Sequence, residues 1–431
     1  KKVFEQINQF KSLKPSKDPI LARRLVLLYN TFAPYQIETE LLNRITMLQN
    51  SITKKFQNFR ALVGGKELTD NQIEGILGSS KDSRELEEAW KGHKKIGDLV
   101  SDDIRELVKM RNEQAQALGY ENFHTMSLML NEQAPNDILK LFDQLDDLTG
   151  PAFLKLKEKM DSYLANRCSI KQADLMPWHY QNRYFQEAPK IYDINLDEYY
   201  ADKDIVKITD DYFASIGLDI KDLIQKSDLF DKPGKNQHAF CTDIDRDKGD
   251  IRVLCNVQPN AQWMNTMLHE YGHAVYSKYH NKQLPWILKT AAHTFTTEAI
   301  AMIFGRMASN PVWMEDMLGL SEKDFNKIKT TCDDYLRLEQ LCFSRWSQVM
   351  FRFEKALYAD PDQDLNALWW TLVEKYQGMK KPEGRNAPDW ATKIHIATFP
   401  CYYHNYHLGE LLASQLYFTL KERVLNTKEK N

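Results

Sequence analysis

PNAQWMNTMLHEYGHAVYSKYH, Pro259 to His280, is the stretch on which the reading of this chain turns. Met264, Met267, Leu268, Tyr271, Ala274 and Val275 recur at steps of three and four, and at about 100° per residue they gather on one helical face. His269 and His273 fall roughly opposite that stripe. Being four residues apart, they are separated by only roughly 40° around the axis and one turn along it, so both imidazoles can reach a single ion. Zinc takes such nitrogen donors in a tetrahedron and, at a catalytic centre, keeps one position for water. Glu270 sits beside one donor, where it can take a proton from that water. The competing reading is an amphipathic helix that shows two solvated histidines. Chance produces H-E-x-x-H in a chain of this length on the order of one time in fifty, which favours the metal.

A third protein ligand is expected downstream. In AAHTFTTEAIAMIFGRMA, an apolar and helix-like segment, Glu298 is an embedded acid 25 positions after His273. A carboxylate on an apolar helix is costly unless it is paired or bound to a cation. The alternative is an acid near a helix N-terminus after Thr296 and Thr297, where the dipole favours it. A His, His, Glu set suits one catalytic zinc ion, so Glu298 is read as the third ligand.

Composition narrows the function classes. The 431 residues carry 57 Lys and Arg against 60 Asp and Glu, a formal net charge of −3, which gives no support to a nucleic-acid partner. No apolar run approaches the roughly 18–20 residues that span a bilayer, and the start KKVFEQINQF has no apolar signal core. The numbering begins without a Met, so a trimmed form is expected, with a secreted or periplasmic location favoured and a cytoplasmic one the alternative. A monomer is expected. Six scattered cysteines contain no C-x-x-C pair, which argues against a thiolate zinc site. Cys241 with Cys255 is the local disulfide candidate, and free buried thiols are the alternative.

Elsewhere the periodicity is helical, as in ELEEAWKGHKKIGDLV, SDDIRELVKMRNEQAQALGY and DILKLFDQLDDLTGPAFLKLKEKMDSYLANR. Gly and Pro, 17 and 15 in number, mark joints such as DKPGKNQ and MKKPEGRNAPDW. HAFCTDIDRDKGDIRVLCNV reads as a β-hairpin around RDKGD. The expectation is a mainly α single catalytic domain over residues 1–431, with a small hairpin beside the histidine helix.

HEYGH followed by TEAIA resembles the angiotensin-converting-enzyme family of zinc peptidyl-dipeptidases, and more distantly the thimet oligopeptidase and oligoendopeptidase group. EAWKGHKKIGDLVSDDIRELVKMRNEQAQALGY, DDYFASIGL, HAFCTDIDRDKGDIRVLCNV, NALWWTLVEKYQG and KIHIATFPCYYHNY are similar to that family's segments and come in the same order. The resemblance runs from about Glu88 to Tyr406 and implies a helical ellipsoid of two lobes around a deep channel, with zinc on its floor. It implies that His395 and Tyr406 donate to the oxyanion of the scissile carbonyl. It also implies that Lys393, aided by the first tyrosine of a pair, grips the C-terminal carboxylate of an oligopeptide substrate. That first tyrosine is Tyr402 or Tyr403, because the spacing from His395 is one residue longer here. His238 and Ala239 resemble the strand that pairs with substrate backbone, an edge-strand mode of recognition. A histidine that caps the hairpin is the plainer reading of His238.

The departures carry expectations too. Val373 and Asn405 stand where the family commonly has arginines that hold chloride in the animal enzymes, so activity is expected to depend little on chloride. A halide titration that strongly activates the protein overturns this. Met302 replaces an Asp that orients a zinc-bound His, so another group must receive that N–H. Gln237 stands where Cys255 would have its disulfide partner. Dipeptide release from C-termini is the leading expectation. An endo-acting oligopeptidase is favoured by the shortened N-terminal region, and a catalytically silent peptide-binding homologue by the substituted positions.

Overall fold

A computed structural model describes residues 2–12, 17–232, 235 and 238–424. Gln237 and most of the DKPGKNQ joint therefore lie outside the described residues. The chain is mainly helical, as expected, with two antiparallel two-stranded sheets among the described residues. It divides into two compact units, each assembled from two stretches of sequence. No described helix is long and apolar enough to cross a membrane.

The first unit comprises the residues up to Ile191 and those from Leu338 to His404. Its spine is the helix Ser83–Ala117, which joins two segments that read separately in the sequence. Asp82 starts it by accepting the Arg84 and Glu85 N–H groups that a first helical turn leaves free. A second long helix, Pro135–Cys168, opens on a proline whose missing N–H costs nothing there. The apolar faces of these helices bury Ile96, Val100, Ile104, Phe142, Phe153 and Met160 completely or nearly so. The helix Leu365–Gln377 ends on Gly378, whose φ of 62° is the left-handed conformation that glycine adopts freely. A short hairpin, Ala61–Val63 with Lys66–Leu68, turns on Gly64 and Gly65, both at positive φ.

The second unit comprises Tyr192–Arg337 and the residues from Asn405 on. The expected hairpin is there, Phe240–Asp245 against Asp250–Leu254. The helix that carries HEYGH runs from Ala261 to Lys278, with Asn260 accepting the Trp263 N–H at its start. Met264, Met267, Leu268, Tyr271, Ala274 and Val275 are all buried in this unit's core, together with Ile251, Val253 and Cys255 of the hairpin. The apolar stripe therefore packs inward and leaves His269 and His273 on its flank, half-buried.

Candidate metal centre and substrate groups

Two helices bring the metal donors together, and a glycine sets their distance. The helix Thr294–Gly305 carries Glu298 and lies against the HEYGH helix at Gly272, where a Cβ would stand 2.8 Å from Ala301 Cα. Only a residue without a side chain permits that approach. His269 Nε2 and His273 Nε2 consequently stand 3.8 and 3.9 Å from Glu298 Oε2, and the three donors lie within 4.8 Å of one another. A tetrahedral zinc ion holds its ligand atoms roughly 3.3 Å apart, so each of the two His–Glu separations needs to contract by only about half an ångström to share an ion. The donor set fits zinc. The capping alternative for Glu298 is set aside by the helix itself: His293 caps it, and Glu298 is its fifth residue.

Charge completes the fit. Burial holds the His269 imidazole down at about 3, assisted by His273, and burial holds His273 at about 4. Both are neutral at physiological pH and present a lone pair. Burial, then the nearby Glu410 carboxylate, pushes Glu298 up to about 7, so an ion that takes this carboxylate displaces a proton below that pH. His273 Nδ1 lies 2.7 Å from Thr297 Oγ1. With Nε2 turned to the metal donors, Nδ1 carries the proton and donates it to the hydroxyl. Thr297 thus receives the second N–H of a metal-donor histidine, a role the sequence did not disclose. Thr297→Val is expected to weaken zinc binding about 10–100-fold in competition with a chelator, with the fold retained; unchanged affinity would remove Thr297 from the site.

Glu270 is buried and faces the hairpin, where its carboxylate accepts the backbone N–H of Cys241. Burial, then the Glu298 charge, pushes it up to about 7, near the midpoint a proton-transfer group needs. Ala239 is half-buried and His238 exposed, both just ahead of the strand Phe240–Asp245. Cys241 and Cys255 form no disulfide, and all six thiols are free. The register explains this: Cys241 pairs with Val253, which leaves Cys255 two residues further on, just past the end of the neighbouring strand.

Tyr406 lies in the first turn of the helix His404–Thr419, and its hydroxyl is held up by burial and then by the Glu298 charge. That helix approaches Glu298 through another glycine: a Cβ at Gly409 would stand 3.2 Å from Glu298 Cβ and 3.4 Å from Met302 Sδ. Arg306, just past the Glu298 helix, pairs with the Glu410 carboxylate and donates to Ser414 Oγ at 3.0 Å. Metal donors and Tyr406 are therefore carried by three helices, the Glu298 helix packing against each of the other two.

The first unit gathers the remaining expected residues. Lys393 is buried, and its Nζ lies 5.4 Å from the Tyr403 ring, 4.9 Å from Tyr184 and 5.6 Å from Trp346. It donates to Gln186 Oε1 at 2.6 Å, and the Tyr403 hydroxyl donates to the same oxygen at 3.4 Å. The His395 ring meets that of Tyr403 at 5.2 Å. Tyr403 is thus the member of the pair that stands with Lys393 and His395, and Tyr402 is the half-buried residue before it. Gln186 carried no motif and was missed. Burial, then the Arg183 charge, lowers Lys393 to about 7; burial, then Lys393, lowers His395 to about 4. Val373 lines a cavity of about 20 Å³ together with Lys94 and Arg183.

A fold of long helices with two histidines and a glutamate converging from adjacent helices defines a metallopeptidase-like centre. The sequence model of peptidase family M3 matches residues 83–431, and the chain belongs to that family. It is similar to angiotensin-converting enzyme of Oryctolagus cuniculus, 23% identical over 89% of this chain and 32% of that protein. The Mesocricetus auratus enzyme is 24% identical over 75% of this chain and 27% of its own length. That of Theromyzon tessulatum is 21% identical over 83% and 62%. The chain spans about a third of the length of the mammalian relatives it matches.

Proposed function

We propose that this protein is a zinc peptidase that releases dipeptides from the C-termini of oligopeptides. The observation that carries the reading is the convergence of His269, His273 and Glu298, with Glu270 buried beside them and poised near neutrality. When bound there, a zinc ion supplies a Lewis acid that polarises the scissile carbonyl and acidifies water. Glu270 accepts the proton of the attacking water, its carboxylate steadied by the Cys241 N–H, and passes it to the departing amine. By the resemblance, the Tyr406 hydroxyl and a His395 N–H are the donors to the oxyanion that forms on the carbonyl. His395 does this as a neutral imidazole, since burial keeps it unprotonated at working pH. Lys393, Tyr403 and Gln186 form the anchor for the terminal carboxylate, so the bond that is cut is counted from the C-terminus.

An oligopeptide and its C-terminal amide, digested side by side and mapped by mass spectrometry, test the reading. Dipeptides from the free acid, and little product from the amide, are expected. Equal cleavage of both at internal bonds points to an endo-acting oligopeptidase, and zinc bound without any cleavage points to a peptide-binding homologue.

A further inference from the structure

Cys401 is a buried non-glycine residue with φ at 56°, in the left-handed region that side chains avoid. Such a conformation persists only where its surroundings impose it. Here the Cys401 N–H donates to Glu354 Oε1 at 2.7 Å. Glu354 lies on the helix Glu322–Ala359, in the portion that belongs to the first unit, and is almost wholly buried. The same stretch of chain is gripped from a second side, since the Arg111 guanidinium donates to the Ala397 carbonyl at 2.6 Å. Two residues after Cys401 comes Tyr403, the tyrosine that meets Lys393 and His395. The chain from His395 to Tyr403 is one residue longer than the resemblance leads one to expect, and the left-handed residue Cys401 lies within that stretch.

We infer that Glu354 is a positioning residue for substrate selection: by accepting the Cys401 N–H it fixes the left-handed bend that delivers Tyr403, rather than Tyr402, to Lys393 and Gln186. The inference rests on the reading of these groups as a carboxylate anchor. Glu354 reaches no substrate atom itself. Burial also pushes its carboxyl up to about 8, so near pH 7 it is an uncharged acceptor that needs no counter-ion.

The test uses the zinc-loaded protein and a matched pair of peptides, free acid and amide. Glu354→Leu removes the acceptor and is expected to raise KM for the free acid about tenfold, leave kcat within about twofold, and shrink the preference for acid over amide by the same factor. Glu354→Gln keeps an acceptor oxygen of the same size and is expected to behave as the wild type. Adding Cys401→Gly to Glu354→Leu is expected to restore most of the lost KM, because glycine adopts the bend unaided. A folded Glu354→Leu protein with unchanged KM and unchanged preference overturns the inference. Should that variant fail to fold, hydrogen exchange on the wild type decides: the Cys401 amide is expected to be protected like core amides, and exchange as fast as that of an open loop overturns it. A wild type that cuts acids and amides alike sinks the anchor itself, which is a different failure from the loss of Glu354's role.

Discussion

Glu270→Gln is expected to keep its zinc and lose about 10²–10⁴-fold in kcat. The three donors are His269, His273 and Glu298, and none is altered. Gln has the size of Glu, and its amide oxygen can still accept the Cys241 N–H, so the local packing survives. What disappears is a group that can hold a proton near pH 7 and release it again. The decisive readout is metal content beside product mapping for both proteins. Equal zinc with products from the wild type alone supports the assignment. A variant that cuts as fast as wild type would show that another base serves, and the proposed chemistry would have to be abandoned.

The second large effect is expected at Lys393. Truncating one partner of a buried, hydrogen-bonded charge interaction costs about 2–5 kcal/mol, so Lys393→Met should lower kcat/KM for free-acid peptides by at least about 30-fold. Peptide amides, which offer no carboxylate, should lose little. A pH signature accompanies this. Burial lowers the Lys393 ammonium to about 7, so the cation is present below that pH and lost above it. In wild type, KM for free acids should climb as pH rises through the neutral range, although a bound carboxylate opposes the loss and shifts the climb upward. Amides should show no such climb. Parallel pH profiles for acid and amide would remove Lys393 from the anchor.

The donor set was legible because helical geometry turns a spacing of four into proximity, and because an acid in TEAIA is out of place among apolar neighbours. The mid-helix Gly272 was legible in principle as well. A glycine there costs about 1 kcal/mol relative to alanine, which asks for a reason, and the reason is Ala301 at van der Waals distance. Gln186 and Thr297 were not legible. Gln186 comes 207 residues before Lys393 and belongs to no motif, so only the fold joins them. Thr297 stood out only as the residue before Glu298, and its contact with His273 depends on the angle at which two helices meet. The choice between Tyr402 and Tyr403 was hidden for another reason. The bend that decides it lies at a cysteine, whereas sequence reading looks to glycine for positive φ. The hairpin at Gly64 and Gly65 did carry the glycine signal, but its strands have three residues each, too short for an alternating pattern to show.

Gly272 and Gly409 have a mechanical meaning. At Gly272 one helix meets the backbone of the next at Ala301, and at Gly409 a third comes close to the root of the Glu298 side chain, so little rotatable side chain is left to absorb sliding and the helices that bear the histidines, Glu298 and Tyr406 form a stiff block. Thermal displacements within it are shared by donors and hydroxyl alike, and their spacing survives motions that would blur a site built on loops.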